Sequence, residues 1–144
     1  MNSNFTEYIN SLEMSDIFKG KVETTIKNCN KLFELDFNKL FISNGLDSEN
    51  IPYYDSLFLF NENYVIEAKN FESTINFDIA NLENNLHYAV LKSKNNDLDN
   101  FDDKSQLEVT MFQGDNLYTK FISRGKFNSE CLIDIYKSII LKRI

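Results

Sequence analysis

Two acidic residues and a lysine lie within fifteen positions of one another in the middle of the chain: Asp55, Glu67 and Lys69. Because successive side chains of a strand point to opposite faces, Glu67 and Lys69 share one face of a strand that contains both. A hairpin that reverses at Asn61 to Asn63 would place Asp55 opposite Lys69, and directly paired residues lie about 5 Å apart on one face. The spacing therefore predicts that two carboxylates and an ammonium lie on a common surface, provided the register does not slip by one residue.

Such a pair of carboxylates suits a hard divalent cation. Mg²⁺ prefers oxygen ligands and is commonly held by one or two carboxylates together with waters and a substrate phosphate. A bound ion lowers the pKa of a coordinated water, and a neighbouring lysine can orient that water or stabilise developing negative charge. The residues thus predict an ion site at Asp55 and Glu67 with Lys69 beside it. The alternative is a cross-strand ion pair on a solvated sheet face, which contributes little to stability.

Apolar periodicity predicts the elements that position these residues. Spacings of three and four from Phe18 to Phe33 predict a helix over about residues 15–34, and a continuous apolar run predicts a buried strand over 56–60. A second strand is expected at 64–71 and a second helix at 77–92. The remaining predictions are a strand at 37–43, a strand pair at 107–111 and 117–122, and a last helix from about residue 128. The order α-β-β-β-α-β-β-α predicts an α/β (α+β) fold with a mixed β-sheet flanked by helices.

Size and composition indicate one intracellular globular domain. The 144 residues include 13 Phe and 7 Tyr, which excludes a disordered chain, and no apolar run is long enough for a membrane span. Two cysteines in predicted helices and a polar N-terminus predict a cytoplasmic protein without disulfides. The net charge is −7. Residues 117–144 carry six basic and two acidic side chains, a net charge of +4, which leaves −11 for the first 116 residues.

The segment Val65-Ile66-Glu67-Ala68-Lys69, with Asp55 upstream, resembles the signature of the PD-(D/E)XK nuclease superfamily, and the Holliday-junction resolvases and nuclease-related domains within it. The resemblance implies a restriction-endonuclease-like core and a Mg²⁺- or Mn²⁺-dependent endonuclease that hydrolyses phosphodiester bonds in DNA, with a homodimer as one arrangement. It implies metal ligation by Asp55, Glu67 and the backbone carbonyl of Ala68, with Glu23 as a further or water-mediated ligand. Lys69 would be the catalytic lysine. Tyr54 stands where the family usually has proline.

A second function is consistent with the same sequence. The acidic first 116 residues suit a non-catalytic interaction protein, such as an immunity or phage counter-defence factor that binds a basic protein partner. Hairpins followed by one final helix also allow a pleckstrin-homology-like barrel. The segment 77–92 discriminates between the two architectures, because a helix there favours the nuclease fold and strands favour the barrel.

Overall fold

Two helices open the chain. The computed structural model describes residues 3–46, 48–69, 75–82, 88–94, 97–113 and 116–144. Helix α1 (Ser3–Ser11) is followed by α2 (Asp16–Phe33), which begins where the Ser15 hydroxyl accepts a hydrogen bond from the Phe18 N–H and ends at Glu34 in the left-handed conformation. The apolar spacing predicted α2 correctly, and of the two caps that the sequence allows, Ser15 and Asp16, the structure has Ser15. It did not predict α1.

Seven strands form two antiparallel sheets. Sheet A has the order β1-β2-β3-β4 and sheet B the order β5-β6-β7. The strands of sheet A are β1 (Lys39–Leu46), β2 (Pro52–Phe60), β3 (Tyr64–Lys69) and β4 (Asn76–Asn81). Those of sheet B are β5 (Tyr88–Ser93), β6 (Gln106–Gln113) and β7 (Asn116–Arg124). The chain ends in helix α3 (Lys126–Ile135), which continues through a π-helical turn (Tyr136–Ile140) and a 3₁₀ turn (Leu141–Arg143).

The predicted helix over 77–92 is wrong. Its described residues form β4, which pairs with β3, and β5, which pairs with β6; the part of that prediction on residues 83–87 lies outside the described residues. The spacing of Ile79, Leu82 and Val90 fits a helix, but β3 needs backbone partners on both sides when it is buried, and β4 supplies one set. Every described strand pairing is antiparallel, so a mixed sheet and the order α-β-β-β-α-β-β-α are not observed either. The α+β class is confirmed.

The two faces of sheet A belong to different cores. Its outer face carries aliphatic residues that pack against α1 and α2, among them Ile42, Leu57 and Ile66. Its inner face packs against sheet B and α3 through a buried cluster that includes five phenylalanines. Phe121 of β7 lies at the centre of this cluster, with ring centroids 4.4 Å from Phe58, 5.7 Å from Phe60 and 6.1 Å from Phe41. The molecule therefore has helices, sheet A and sheet B stacked in succession.

Side chains join the two sheets where β1 runs beside β7. The Ser43 hydroxyl accepts a hydrogen bond from the Ile122 N–H at 3.0 Å, and the Arg124 Nε–H donates to the Asn44 carbonyl at 3.2 Å. The amide of Asn128 at the start of α3 donates to the Ile42 carbonyl at 3.0 Å. β1 lies at the edge of sheet A, so one of its sides lacks a continuous strand partner. These three hydrogen bonds satisfy backbone groups and hold sheet A against sheet B and α3.

Candidate functional site

Glu67 and Lys69 lie on the inner face of sheet A, as alternation along β3 predicts. The register differs by one residue from the predicted one, because Ser56 pairs with Lys69 and Phe58 pairs with Glu67. The cause is the turn. The Asn61 side chain accepts hydrogen bonds from the Asn63 and Tyr64 N–H groups, so the ladder starts one residue later than a reversal centred on Glu62 requires.

A β-bulge at Asp55 compensates for this shift. Ser43 pairs with Ser56, and the next pair is Asn44 with Tyr54, so Asp55 is an extra residue on β2. Such a residue re-aims its side chain, whereas regular alternation would have sent it to the outer face. The Asp55 carboxylate accepts a hydrogen bond from the Ser43 side chain, and Ser43 belongs to the inner face. Its Oδ2 lies 2.7 Å from the point that a Cβ on Gly45 would occupy, so only glycine leaves this space free.

The Glu67 carboxylate accepts hydrogen bonds from two hydroxyls of different strands. The Ser56 hydroxyl donates to Oε2 at 3.1 Å, and the Thr119 hydroxyl of β7 is 3.5 Å from Oε1. Lys69 Nζ stands 3.9 Å from Glu67 Oε1 and 3.2 Å from Asp78 Oδ2 on β4. Glu67 is thus a half-buried acid that has one cation nearby, and that cation is shared with a second, more exposed acid.

The electrostatic environment separates the roles of these groups. Burial raises the pKa of Glu67, against the opposing effects of Lys69 and the Ser56 hydrogen bond, and the nearby Asp55 and Asp78 charges add to the increase. Burial also raises the pKa of Asp55. The hydrogen bond to Asp78 and the charge of Glu67 raise the pKa of Lys69. Lys69 therefore remains a cation, which can stabilise negative charge but cannot accept a proton at neutral pH.

An open cavity of about 400 Å³ adjoins Glu67 between β3, β4 and β7. Glu67, Lys69, Asp78, Asn81 and Thr119 supply its polar lining. Asp55 lies towards the β1 end of the same face, where its Oδ1 is buried and receives no hydrogen bond from the residues that the structure describes. The two acids are near enough for the charge of one to affect the pKa of the other.

We term Asp55, Glu67 and Lys69 the acidic cluster, and two of the predicted ligands, Glu23 and Ala68, do not belong to it. Glu23 lies on α2, whose buried residues contact the outer face of sheet A, so the sheet itself separates Glu23 from Glu67. The Ala68 side chain is buried on that outer face. Its carbonyl belongs to the ladder of a strand with partners on both sides and points in the plane of the sheet, while the carboxylates stand off the face. Within the described residues, no group of three His, Cys, Asp or Glu residues could hold a metal ion.

The donor set at Asp55 and Glu67 fits a divalent cation in part. Two carboxylates and the hydroxyls of Ser43 and Ser56 are hard oxygen ligands. Asp55 Oδ1 is buried and receives no hydrogen bond from the described residues, so its lone pairs are available to a further partner. Sequence reasoning missed Ser43, Ser56 and Thr119. Ser56 could have been found from its place next to Asp55, but Thr119 comes from the other sheet, and no local pattern places it beside Glu67.

A different candidate surface lies on the outer face of sheet B, which no described helix covers. Tyr88 of β5 and Phe112 of β6 stack there with centroids 4.6 Å apart and planes 7° apart. Val90, next along β5 on this face, is 47% exposed, and Leu117, which pairs with Phe112, is 60% exposed. These four residues, Tyr88, Val90, Phe112 and Leu117, form what we term the aromatic face.

Comparison with known protein families, with curated proteins and with solved structures gave no match to this chain. Among the residues that the structure describes, no helix combines the length and the apolar character that crossing a bilayer requires. The acidic cluster on sheet A and the aromatic face of sheet B are therefore the two features that bear on function.

Proposed function

We propose that this chain is a non-catalytic interaction protein, built as a pleckstrin-homology-like sandwich, that binds a basic protein partner through the aromatic face of sheet B. The observation that carries the proposal is the contrast between the two sheets. Two helices cover the outer face of sheet A, whereas stacked aromatic and aliphatic side chains remain exposed on sheet B. Contiguous exposed apolar patches on a small protein mark interaction surfaces, and aromatic residues are enriched in the cores of interfaces.

The end of β5 leads from the aromatic face into an acidic loop over residues 97–103. Asp97, Asp99, Asp102 and Asp103 are all exposed in this loop. Hydrogen bonds from the Asn100 side chain and the Asp99 N–H lower the pKa of Asp97, so its charge persists to lower pH. The loop therefore provides a fixed negative charge at the end of sheet B opposite to the Tyr88–Phe112 pair.

The acidic loop is ordered by its own side chains. Asp97 accepts from the Asp99 N–H at 3.0 Å and from the Asn100 amide at 2.9 Å, and Asp102 accepts from the Lys104 N–H at 2.8 Å. Phe101 anchors the loop in the inter-sheet core, where it is 9% exposed. Since a preordered surface loses less conformational freedom on binding, this loop suits recognition of a basic region of the partner.

Site-specific photocrosslinking tests this proposal, because it captures a bound partner whatever its identity. A benzophenone amino acid is placed at Val90 or Leu117 and, as controls, at Ile17 or Leu32, which are 78% and 62% exposed on α2. In the native cells we expect one discrete adduct from both sheet B positions and none from α2, with a basic protein identified by mass spectrometry. No adduct, the same adduct from all four positions, or an adduct with a second copy of this chain contradicts the proposal.

A second candidate function rests on the orphaned, buried Oδ1 of Asp55 near the Glu67 carboxylate. We propose, as the alternative, hydrolysis of phosphodiester bonds in DNA with Mg²⁺ or Mn²⁺ held by Asp55 and Glu67. The ion would supply an activated water. Ser43 and Ser56 would hold the two carboxylates in place through their hydrogen bonds, and Lys69 would stabilise negative charge on the phosphate. The support is the donor set alone, because the helix on which the nuclease architecture depended is replaced by strands.

Binding of Mn²⁺, followed by its paramagnetic resonance signal, and cleavage of plasmid and branched DNA test the alternative. The matched control for Asp55→Asn is Asp103→Asn, which removes the same charge from an exposed acid. The alternative predicts that Asp55→Asn abolishes both binding and cleavage, that Asp103→Asn changes neither, and that Lys69→Ala abolishes cleavage. Absence of cleavage by the wild type, or equal cleavage by Lys69→Ala, removes it.

A further inference from the structure

A groove of about 820 Å³ lies where three parts of the fold meet, away from the aromatic face. One wall is the junction between α1 and α2, another is the open end of β1 and β2, and the third is the start of α3. The lining includes both aromatic and polar side chains, among them Phe18, Asn44, Tyr54, Arg124, Lys126 and Phe127. The volume is within the range of pockets that bind small molecules or short peptides.

The start of α3 supplies unpaired donors at this groove. Gly125 precedes the helix with φ of 90° and offers no side-chain cap. The first hydrogen bond of the helix is from the Ser129 N–H to the Gly125 carbonyl, so the N–H groups of residues 126–128 have no partner within the helix. These groups and the helix dipole favour an anion. Exposed Lys126 adds a positive charge at the same end.

A buried amide supplies an independent indication of a ligand. Asn44 is 8% exposed and lines the groove, and no described residue donates a hydrogen bond to its Oδ1. Its backbone carbonyl accepts from Arg124 Nε, which fixes Asn44 beside the start of α3. An unsatisfied buried acceptor costs free energy unless something donates to it. The groove thus offers donors for an anion and, next to them, one acceptor for an N–H.

The remaining wall is aromatic. The Phe18 and Tyr54 rings pack with centroids 5.8 Å apart and planes inclined at 34°, and Phe127 is 51% exposed at the rim. Glu13 and Asp103 also line the groove. The charge of Glu13 contributes to raising the pKa of Tyr54, after burial, which places that acid on the aromatic side of the groove.

We propose that this groove binds the C-terminal segment of a peptide. The terminal carboxylate would accept hydrogen bonds from the N–H groups at the start of α3, the N–H of the last residue would donate to Asn44 Oδ1, and an apolar last side chain would pack on Phe18 and Tyr54. A C-terminal residue carries an anion, an adjacent N–H donor and a side chain on consecutive atoms, which matches the three features of the groove. The site is independent of the aromatic face.

Nuclear magnetic resonance titration of the ¹⁵N-labelled full chain tests the assignment directly. The probes are a pentapeptide of uncharged residues ending in phenylalanine, the same peptide amidated at its C-terminus, N-acetylphenylalanine and inorganic phosphate. We expect the free-acid peptide to shift the backbone amides of residues 126–128 and the side-chain amide of Asn44, and the amidated peptide to leave them unchanged. Equal shifts with the amidated peptide, or shifts elsewhere only, overturn the proposal.

One variant and a matched control refine the result. Lys126→Glu places negative charge at the anion position and should weaken binding of the peptide about three- to tenfold or more. Lys137→Glu makes the same charge change at an exposed position farther along the C-terminal helix and should have no effect. N-acetylphenylalanine carries the carboxylate, the N–H and the side chain and should shift the same amides. If phosphate binds as tightly as the peptide, the groove is a site for small anions, and the peptide assignment is wrong. None of these outcomes depends on the crosslinking at sheet B.

Discussion

Replacement of Gly45 by alanine tests whether the bulge directs Asp55 as the structure shows. The added Cβ would stand 2.7 Å from Asp55 Oδ2, and the carboxylate would have to move from its hydrogen bond with Ser43. Overpacking of this kind costs about 1–3 kcal/mol. Gly45 has no positive φ, so alanine is free of backbone strain there and recovers about 0.4–1 kcal/mol by restricting the unfolded chain. The net loss of stability should be about 1–2 kcal/mol.

A double-mutant cycle isolates the contact. In an Asp55→Ala background the obstacle is gone, and Gly45→Ala should be neutral or stabilising by up to about 1 kcal/mol. The free energy of unfolding of all four proteins is measured by urea denaturation, with thermal midpoints expected to move by roughly 2–4 °C per kcal/mol. If Gly45→Ala costs the same with and without Asp55, the carboxylate does not occupy this space, and the bulge-based account of the acidic cluster is refuted.

Three further predictions concern charge, packing and thiol reactivity. Burial raises the folded-state pKa of Asp55 above its unfolded value, so its contribution to stability is full below the unfolded pKa and is lost as pH rises through the folded pKa. In urea titrations, Asp55→Asn should therefore stabilise the protein at pH 7 and not at pH 3. Equal effects of the substitution at both pH values would contradict this prediction. Phe121→Ala removes a fully buried ring and should lower the free energy of unfolding by about 3–5 kcal/mol. Phe127→Ala removes a ring that is 51% exposed and should lower the free energy of unfolding far less. Similar losses for the two variants would argue against the inter-sheet core. Burial raises the pKa of both Cys29 and Cys131 to about 12, so neither thiol should react with Ellman's reagent at pH 8 until urea unfolds the chain, and rapid reaction of the native protein would refute their burial.

Local signals in the sequence determine the elements that the sequence predicted well. The apolar spacing predicted α2 correctly, and alternation predicted the hairpin of β6 and β7. Each of these features depends on residues close in sequence, where propensity and periodicity are informative.

The segment 77–92 shows why local periodicity was insufficient. Spacings of three and four among its apolar residues predict a helix, yet Phe77 and Ile79, two residues apart, are equally compatible with a strand. The deciding factor is tertiary, since β4 completes the backbone hydrogen bonding of β3. Sequence reasoning had no access to that requirement, and the wrong architecture followed from it.

The sequence predicted the acidic cluster in part. The structure departs from the predicted strand pairing in two ways, and these two departures compensate for each other. The reversal at Asn61 shifts the register by one residue, which alone would have sent Asp55 to the outer face. The bulge at Asp55 returns its carboxylate to the inner side, near Glu67. Gly45 was the one sequence signal for this arrangement, since a residue without a side chain on a strand often marks a bulge or a close approach.

Affinity for the crosslinked partner tests the central claim, protein binding through the aromatic face, most directly. Full burial of a leucine side chain stabilises by about 1.5–3 kcal/mol. Leu117 has 60% of its surface left to bury, so its contribution to binding should be about 1–2 kcal/mol, or roughly 5- to 30-fold in Kd. Leu32 on α2 is 62% exposed and serves as a matched control. Isothermal titration of the purified pair should show that Leu117→Ala weakens binding by this factor while Leu32→Ala leaves it unchanged. Equal affinity of the wild type and Leu117→Ala would contradict the claim.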